Sequence, residues 1–278
     1  MRITRAMIGL LVLSLACTTA CTSQVAGSPR DEVVRPSLTP AARDLPKTGQ
    51  CTDGALVVVD CAQPHEAETV GLGEFTGMGG DYPSERDLRR QGISGCRKAV
   101  AAYLGSPDHD ATRLQAHILW PSRDGWAAGH RWRLCAVVEL GPDGQRRERT
   151  GVVRDLLRGA GFGQVQLCAQ GSPSKDADAR ITLCDGPHLA EAVPGVLTLG
   201  KPGDPTPSRE QVDEKAREHC ATAVAGYLGA HRQDVFASWR SFGSQAWSEG
   251  FTTAVCYAEA TRPFTGRLWG LGTRALPA

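Results

Sequence analysis

The sequence predicts an α+β fold of two homologous repeats, each a mostly antiparallel sheet packed on one helix and tied by two disulfides. The main observation is a segment that the chain contains twice, Cys61–Gly71 (CAQPHEAETVG) and Cys184–Gly195 (CDGPHLAEAVPG). After each copy come a helix that starts at Pro-Ser and carries one cysteine, and then a Trp-x-x-Gly stretch followed by another cysteine. A shared order of motifs indicates an internal duplication.

The spacing between matching residues defines the extent of the repeat. The separation is 123 positions at His65 and His188, 124 along the helix and 121 at the Trp-x-x-Gly stretch. Small drifts of this kind belong in loops, which tolerate insertions and deletions. We assign the first repeat to residues 50–156, a connection to residues 157–165 and the second repeat to residues 166–278.

The charge balance argues against one class of partner. With 31 Lys and Arg against 30 Asp and Glu in 278 residues, the chain is close to neutral. Nucleic acids and anionic surfaces select proteins with a clear excess of positive charge. We therefore expect no nucleic-acid partner.

The first twenty residues have the features of a secretory signal. Arg2 and Arg5 form a positive start, Ala6–Ala16 is an apolar run too short to span a bilayer, and small residues with cysteines follow. This arrangement resembles a bacterial lipoprotein signal peptide, in which the cysteine after the cleavage site receives the lipid. Cys21 is favoured over Cys17 because cleavage there leaves eight other cysteines, an even number for disulfides.

The resemblance implies a place for the mature protein. Residues 1–20 would be removed, and the lipid would hold the protein at the outer face of the cytoplasmic membrane. Residues 21–49, rich in Ser, Pro, Thr and Ala, predict a disordered tether between the lipid and the folded part. The alternative is an ordinary cleaved signal and a freely secreted protein.

The first repeat opens with strands and then a helix. The β-branched run Ala55–Asp60 predicts a strand between two cysteines, and Glu66–Phe75 predicts a second strand. Ser84 is expected to cap the helix that follows, with Asp87 three positions later.

That helix has one apolar face in both repeats. Cys96, Val100, Tyr103 and Leu104 recur at helical spacing, and Gly105 follows where a C-terminal cap is expected. In the second repeat, Ser208 and Gln211 occupy the cap positions and Gly229 the C-terminal position. The apolar face there consists of Val212, Ala216, Cys220, Val224, Tyr227 and Leu228.

Strands resume after the helix. Arg113–Trp120 and His130–Leu140 predict the last two strands of the first repeat, and the second of them ends at a Gly-Pro-Asp-Gly turn. Val153–Leu157 fits either a short helical link or a final strand.

The two copies share one set of motif residues. They are Cys61, Pro64, His65, Glu68, Cys96, Trp126, Gly129 and Cys135 in the first copy, and Cys184, Pro187, His188, Glu191, Cys220, Trp247, Gly250 and Cys256 in the second. This set resembles the septum-formation domain of actinobacterial membrane proteins and lipoproteins, here in two tandem copies. The resemblance implies a link to the cell envelope and to division, and it brings no catalytic residues. The second copy departs at Leu189, which replaces Glu66, and at Phe251, which replaces His130.

The cysteines outside the signal are expected to form disulfides rather than zinc sites. Zinc sites usually contain Cys-x-x-Cys pairs, which this chain lacks, and exported proteins meet oxidising surroundings. Pairing is expected within each repeat because the four cysteines are copied as a set, although Cys51 with Cys135 is an alternative. The expected pairs are Cys51–Cys61, Cys96–Cys135, Cys168–Cys184 and Cys220–Cys256. We expect no metal and no cofactor.

The candidate functional pair is His65 with Glu68, repeated as His188 with Glu191. An imidazole and a carboxylate at this spacing could bind a metal or serve acid–base chemistry. The simpler interpretation is a histidine that hydrogen-bonds to backbone at the start of a strand.

No catalytic set accompanies these pairs. The sequence has no Gly-x-Ser-x-Gly motif and no repeated Ser/His/Asp set. Trp120, Trp126, Trp239 and Trp247 could stack on cell-wall sugars or fill the core beside a disulfide. We interpret the chain as a non-enzymatic binding or scaffolding module whose partner is an envelope protein or a cell-wall ligand. A metal-dependent or His/Glu-based hydrolase of peptidoglycan or envelope peptides is the alternative.

The first testable prediction concerns the mature N-terminus. Two or three acyl chains give stable membrane residence, whereas one chain is marginal. Mass spectrometry of protein from a host with a lipoprotein pathway is expected to find an acylated Cys21 at the N-terminus, and Cys21→Ser is expected to release the protein from membranes. An unmodified N-terminus well beyond Cys21 would contradict the anchor.

Overall fold

The computed structural model describes residues 44–176 and 179–277. These residues belong to one compact unit. Among them, no helix combines the length and the apolar character that crossing a membrane requires. The expected signal, the lipid-carrying cysteine and the tether up to residue 43 lie outside the described residues.

The first half contains an antiparallel sheet and a long helix, α1 (Glu85–Leu104), followed by the short α2 (Arg123–Ala127). The strands are β1 (Cys51–Thr52), β2 (Val58–Val59), β3 (Ala67–Glu74), β4 (Leu114–Leu119), β5 (Trp132–Leu140) and β6 (Arg146–Arg147). Their order is β2-β1-β3-β5-β4, with β6 paired to β5. The short α3 (Phe162–Val165) then leads into the second half.

The second half has a sheet of the same strand order. Its strands are β7 (Cys168–Ala169), β8 (Ile181–Thr182), β9 (His188–Ala192), β10 (Leu197–Thr198), β11 (Val235–Ser241) and β12 (Thr253–Phe264). The path β8-β7-β9-β12-β11 corresponds to β2-β1-β3-β5-β4, and β10 pairs with the start of β12. The helices are α4 (Arg209–Leu228) and α5 (Gly243–Trp247). The expected α+β class with antiparallel sheets is confirmed.

Local sequence explains where the long helices begin and end. The Ser84 side chain accepts a hydrogen bond from the Asp87 backbone N–H, and Ser208 with Gln211 forms a reciprocal capping box. Gly105 and Gly229 end the helices with φ of 87° and 75°, a conformation that side chains with a Cβ rarely adopt.

Four disulfides attach these elements to one another. Cys96–Cys135 joins α1 to β5, and Cys220–Cys256 joins α4 to β12. Cys51–Cys61 and Cys168–Cys184 close the first hairpin of each half, with separations of 10 and 16 residues. The bonded pairs coincide with those expected from the sequence, and each lies within one half.

One segment differs from the expectation. The strand expected at Ala55–Asp60 is limited to β2, because Leu56 takes a φ of 64° in a turn. The Asp53 carboxylate holds that turn by accepting hydrogen bonds from the N–H groups of Ala55 and Val57, both at 2.9 Å.

The segment before the second half is helical. Of the two interpretations left open for Val153–Leu157, the helical link is the nearer one, since a 3₁₀ turn spans Leu156–Arg158. Within residues 157–165, which we assigned to the connection, Phe162 and Val165 are buried.

One hydrophobic cluster contains buried residues of both halves. Val100 and Leu114 from the first half belong to the same cluster as Ala192 and Tyr257 from the second half. Tyr257 follows Cys256, which bonds to α4, so its side chain points to the opposite face of the second sheet. That face therefore packs against the first half.

A buried ion pair lies at this junction. Arg97 Nη2 donates to both carboxylate oxygens of Asp110, at 2.7 and 2.8 Å. From the second half, the Gly250 carbonyl accepts from Arg97 Nε at 3.1 Å, and the Thr253 hydroxyl donates to Asp110 at 2.6 Å. The guanidinium carbon also lies 3.7 Å from the centre of the Phe251 ring. Removing one partner would leave an unpaired charge in the core of the junction.

The second prediction concerns His109, which is buried next to this ion pair. Burial lowers the pKa of His109, and this effect outweighs the opposite effect of Asp110. The unfolded chain therefore binds a proton that the folded chain excludes once the pH falls below about 6.5. We expect the free energy of unfolding to decrease from that pH downwards, by at most about 1.4 kcal/mol per pH unit for this one group.

Urea unfolding between about pH 8 and pH 5 measures this decrease. His109→Gln is expected to show a shallower decline below about pH 6.5, whereas His231→Gln, which replaces an exposed histidine, should decline like the wild type. Equal slopes for His109→Gln and the wild type would contradict the assignment.

Candidate functional site

The histidine of each repeated motif is fixed by backbone contacts. His65 pairs with Arg149 in an antiparallel bridge, and its Nδ1 donates to the Gln63 carbonyl at 2.8 Å. In the second half, His188 Nδ1 donates to the Gly186 carbonyl at 2.7 Å. A carbonyl only accepts, so in both residues Nδ1 carries a proton. This is the arrangement expected of a histidine at the start of a strand.

Glu68 is placed on the α1 side of the first sheet. Its carboxylate accepts a hydrogen bond from the Tyr103 hydroxyl of α1 and another from the Val153 N–H, at 2.7 Å. The Asp155 N–H in turn donates to the Tyr103 carbonyl at 2.9 Å. One carboxylate therefore connects a strand, a helix and the segment that follows the sheet.

Glu191 makes the corresponding contacts in the second half. It accepts from the Tyr227 hydroxyl at 2.6 Å and from the Leu268 N–H at 3.0 Å. The His188 Nε2 lies 3.3 Å from its other oxygen, and Gln166 Nε2 donates to the same tyrosine hydroxyl at 2.9 Å. Glu191 thus belongs to a larger polar network than Glu68.

The two tyrosines act as hydrogen-bond donors. Burial, together with the neighbouring carboxylate, raises the pKa of Tyr103 and of Tyr227 well above the usual range. Each phenol therefore keeps its proton at physiological pH and donates it to the glutamate. From the sequence we assigned both tyrosines to the apolar face of the helix and did not predict their contact with the glutamates. The two tyrosines recur at the same position of the two helices, and this recurrence could have indicated a shared role.

Solvent does not reach the candidate pairs. The exposed fraction is 1% for His65, Glu68 and His188 and 0% for Glu191. Acid–base or hydrolytic chemistry needs a substrate or a water within hydrogen-bond reach of these groups. In the described structure, the hydrogen-bond partners of these side chains are groups of the protein itself.

The cluster of potential metal ligands around His188 includes a disulfide-bonded cysteine. Cys168, His188 and Glu191 bring potential ligand atoms within 4.8 Å of one another. Cys168, however, is bonded to Cys184, so its sulfur is no thiolate ligand. Two remaining donors fall short of the three or four protein ligands that zinc uses.

A cleft of about 500 Å³ opens in the second half and is within the size range of ligand sites. It lies between the start of α4, the end of β11 and α5; we call it the Trp239 cleft. Its apolar lining includes Leu199, Val212, Trp239, Trp247 and Phe251. Its charged lining consists of Lys175, Asp176, Arg209, Asp213 and Arg240.

The carboxylates of the Trp239 cleft already have partners. Asp213 accepts from the Trp239 indole N–H at 2.8 Å, and Asp176 accepts from the Ser172 N–H at 2.7 Å. Arg209 lies 3.8 Å from Asp213, yet 91% of its side chain is exposed. With three cations against two carboxylates, the lining of the cleft has an excess of positive charge beside an aromatic side chain.

In the first half, aromatic rings occupy the position that corresponds to the Trp239 cleft. Trp126, which the sequence aligns with Trp247, packs against Phe75 and Tyr82 with ring centres 6.0 and 5.9 Å apart. Of the four tryptophans considered for sugar stacking, Trp126 and Trp247 are buried, whereas Trp120 and Trp239 are partly exposed. The sequence did not point to the Trp239 cleft, because most of its charged residues are not repeated in the first half.

The third prediction tests the buried carboxylate of the second half. Tyr227→Phe removes one donor to Glu191 and one acceptor of the Gln166 amide, so we expect the free energy of unfolding to fall by about 1–3 kcal/mol. Tyr82→Phe is the control, since that partly exposed hydroxyl makes one 3.3 Å hydrogen bond, to Pro121. Urea unfolding compares the two variants, and a Tyr227→Phe protein as stable as the wild type would refute the role.

Comparison with known proteins places these observations in one family. The family model described as "Septum formation" matches residues 45–256, which include both His/Glu pairs and all four disulfides. No curated protein and no solved structure matches the chain significantly. The match covers most of the chain, and the chain therefore belongs to the septum-formation family.

Proposed function

We propose that the protein is a lipid-anchored binding or scaffolding module of the cell envelope that takes part in septum formation or a related cell-wall process. One observation carries the proposal. The polar residues that the two halves share are buried and hydrogen-bonded within the fold, while an open cleft with aromatic and cationic side chains faces solvent. This division suits a protein that binds a partner rather than one that transforms a substrate.

The proposal includes an origin by duplication. Its support is the common strand order of the two sheets and the recurrence of the contacts around Glu68 and Glu191. In both halves a helix tyrosine and a backbone N–H from the segment after the sheet reach the carboxylate. Two segments of independent origin are not expected to share this combination of contacts.

The proposal also includes a location. The lipoprotein-like features around Cys21 support attachment to the outer face of the cytoplasmic membrane. Four disulfides support an oxidising compartment, since such bonds are rare in the cytosol. An actinobacterial origin is part of the same proposal and rests on the resemblance of the motifs.

The hydrolase alternative has less support. Its His/Glu pairs have almost no exposed surface, and the cluster around His188 lacks a free thiolate. A hydrolase would require those groups to become accessible through rearrangement of strands that disulfides hold in place.

The fourth prediction separates binding from catalysis. Purified full-length protein is expected to contain no stoichiometric zinc and to leave peptidoglycan intact, while it retains wall-synthesis or division proteins in pull-downs from membranes. The double variant His65→Ala/His188→Ala, checked for folding by circular dichroism, is the comparison. Stoichiometric zinc, or wild-type turnover that a folded double variant loses, would overturn the binding-module proposal.

A further inference from the structure

The outer edge of β11 has unpaired backbone groups. β11 pairs with β12 along one side, over residues 235–241, and within residues 44–176 and 179–277 no strand pairs with its other side. An unpaired strand edge offers a row of N–H and C=O groups to another extended chain.

The register identifies which groups face outward. The Thr261 N–H donates to the Asp234 carbonyl at 3.0 Å, so this opposed pair exchanges hydrogen bonds across the strands. In an antiparallel ladder such pairs alternate with pairs whose backbone groups point away. The outward groups of β11 therefore belong to Val235, Ala237, Trp239 and Ser241, and none of them has a hydrogen-bond partner in the described part of the chain.

The outward edge and the Trp239 cleft adjoin each other. Trp239 is opposite Cys256, whose sulfur bonds to α4, so the Trp239 side chain lies on the α4 face of the sheet. That side chain and Ser241 also line the cleft. A chain paired with β11 would place every second side chain on this face, above the cleft.

The charge around the cleft selects among possible occupants. Three cations line the cleft against two carboxylates, and 91% of the Arg209 side chain is exposed although Asp213 lies 3.8 Å away. An acidic side chain complements this arrangement. A second copy of the chain that paired through its own β11 would not supply one, because VFASWRS contains no carboxylate.

We propose that β11 and the Trp239 cleft together bind an extended peptide segment of an envelope protein, which adds a strand to the sheet and inserts an acidic side chain beside Arg209. This inference rests on the proposed function and names the site through which the module acts. Backbone pairing supplies affinity in strand addition, and a pocket for alternate side chains supplies specificity.

The test selects binders from a display library of random linear nine-residue peptides, with full-length protein in detergent micelles as the target. We expect enriched peptides to contain an acidic residue between β-branched or aromatic residues. Fluorescence polarisation then measures their affinity for variants. Ala237→Pro removes one outward N–H and leaves the bonds to β12 intact, and it is expected to weaken binding about tenfold or more.

Two further variants keep the test decisive. Arg209→Glu changes an exposed side chain and is expected to weaken binding about tenfold even if Ala237→Pro fails to fold. Ala116→Pro is the matched control: β4 is the corresponding edge strand of the first half, and Ala116 occupies the position that matches Ala237. We expect it to leave peptide affinity unchanged.

Several results would overturn the inference. They are a library without enriched peptides, equal affinity for the wild type and both cleft-side variants, and a dimer that Ala237→Pro dissociates. If membrane pull-downs still retain partners in Ala237→Pro and Arg209→Glu, the proposed function stands and this site is wrong. If no partner is retained by any form, the proposed function fails as well.

Discussion

In each half, one buried carboxylate joins three elements of the fold. A carboxylate that leaves water must receive hydrogen bonds in return, and Glu68 and Glu191 receive them from a helix tyrosine and from a backbone N–H far along the chain. Because the donors come from different elements, each charge sets the position of a strand, a helix and a returning segment at once. An apolar side chain at this place would pack without fixing those three elements relative to one another.

The sequence predicted features that depend on neighbouring residues or on motifs that occur in both halves. The caps at Ser84 and Ser208 follow from nearby residues, and the confinement of each disulfide to one half follows from cysteines that recur as sets, although Cys51 with Cys135 was left open as a pair. The partners of Glu68 could not be predicted in this way, since Val153 lies 85 positions away and contributes a backbone N–H that has no sequence signature. The core shared by the two halves was missed for a related reason, because repeats show what each half contains and not how the halves meet.

The two halves use one framework for different surfaces. The hairpin closed by Cys51–Cys61 is short, whereas the one closed by Cys168–Cys184 is longer, and Lys175 and Asp176 within it line the Trp239 cleft. In the first half, aromatic rings fill the space beside Trp126. The ion pair of Arg97 and Asp110 lies where the first half, whose corresponding space is filled by aromatic rings, meets the second half, which contains the cleft. A search for function among repeated residues alone therefore finds the framework and misses the cleft.

The position of β1 has a mechanical consequence. Tension that enters the fold from the N-terminal side passes through the buried Leu45 and then reaches this strand, which lies between β2 and β3. Cys51 is bonded to Cys61, so the chain between them cannot lengthen while the bond is intact. A pull from the N-terminal side would therefore load this covalent bond before it could extend the segment between the two cysteines.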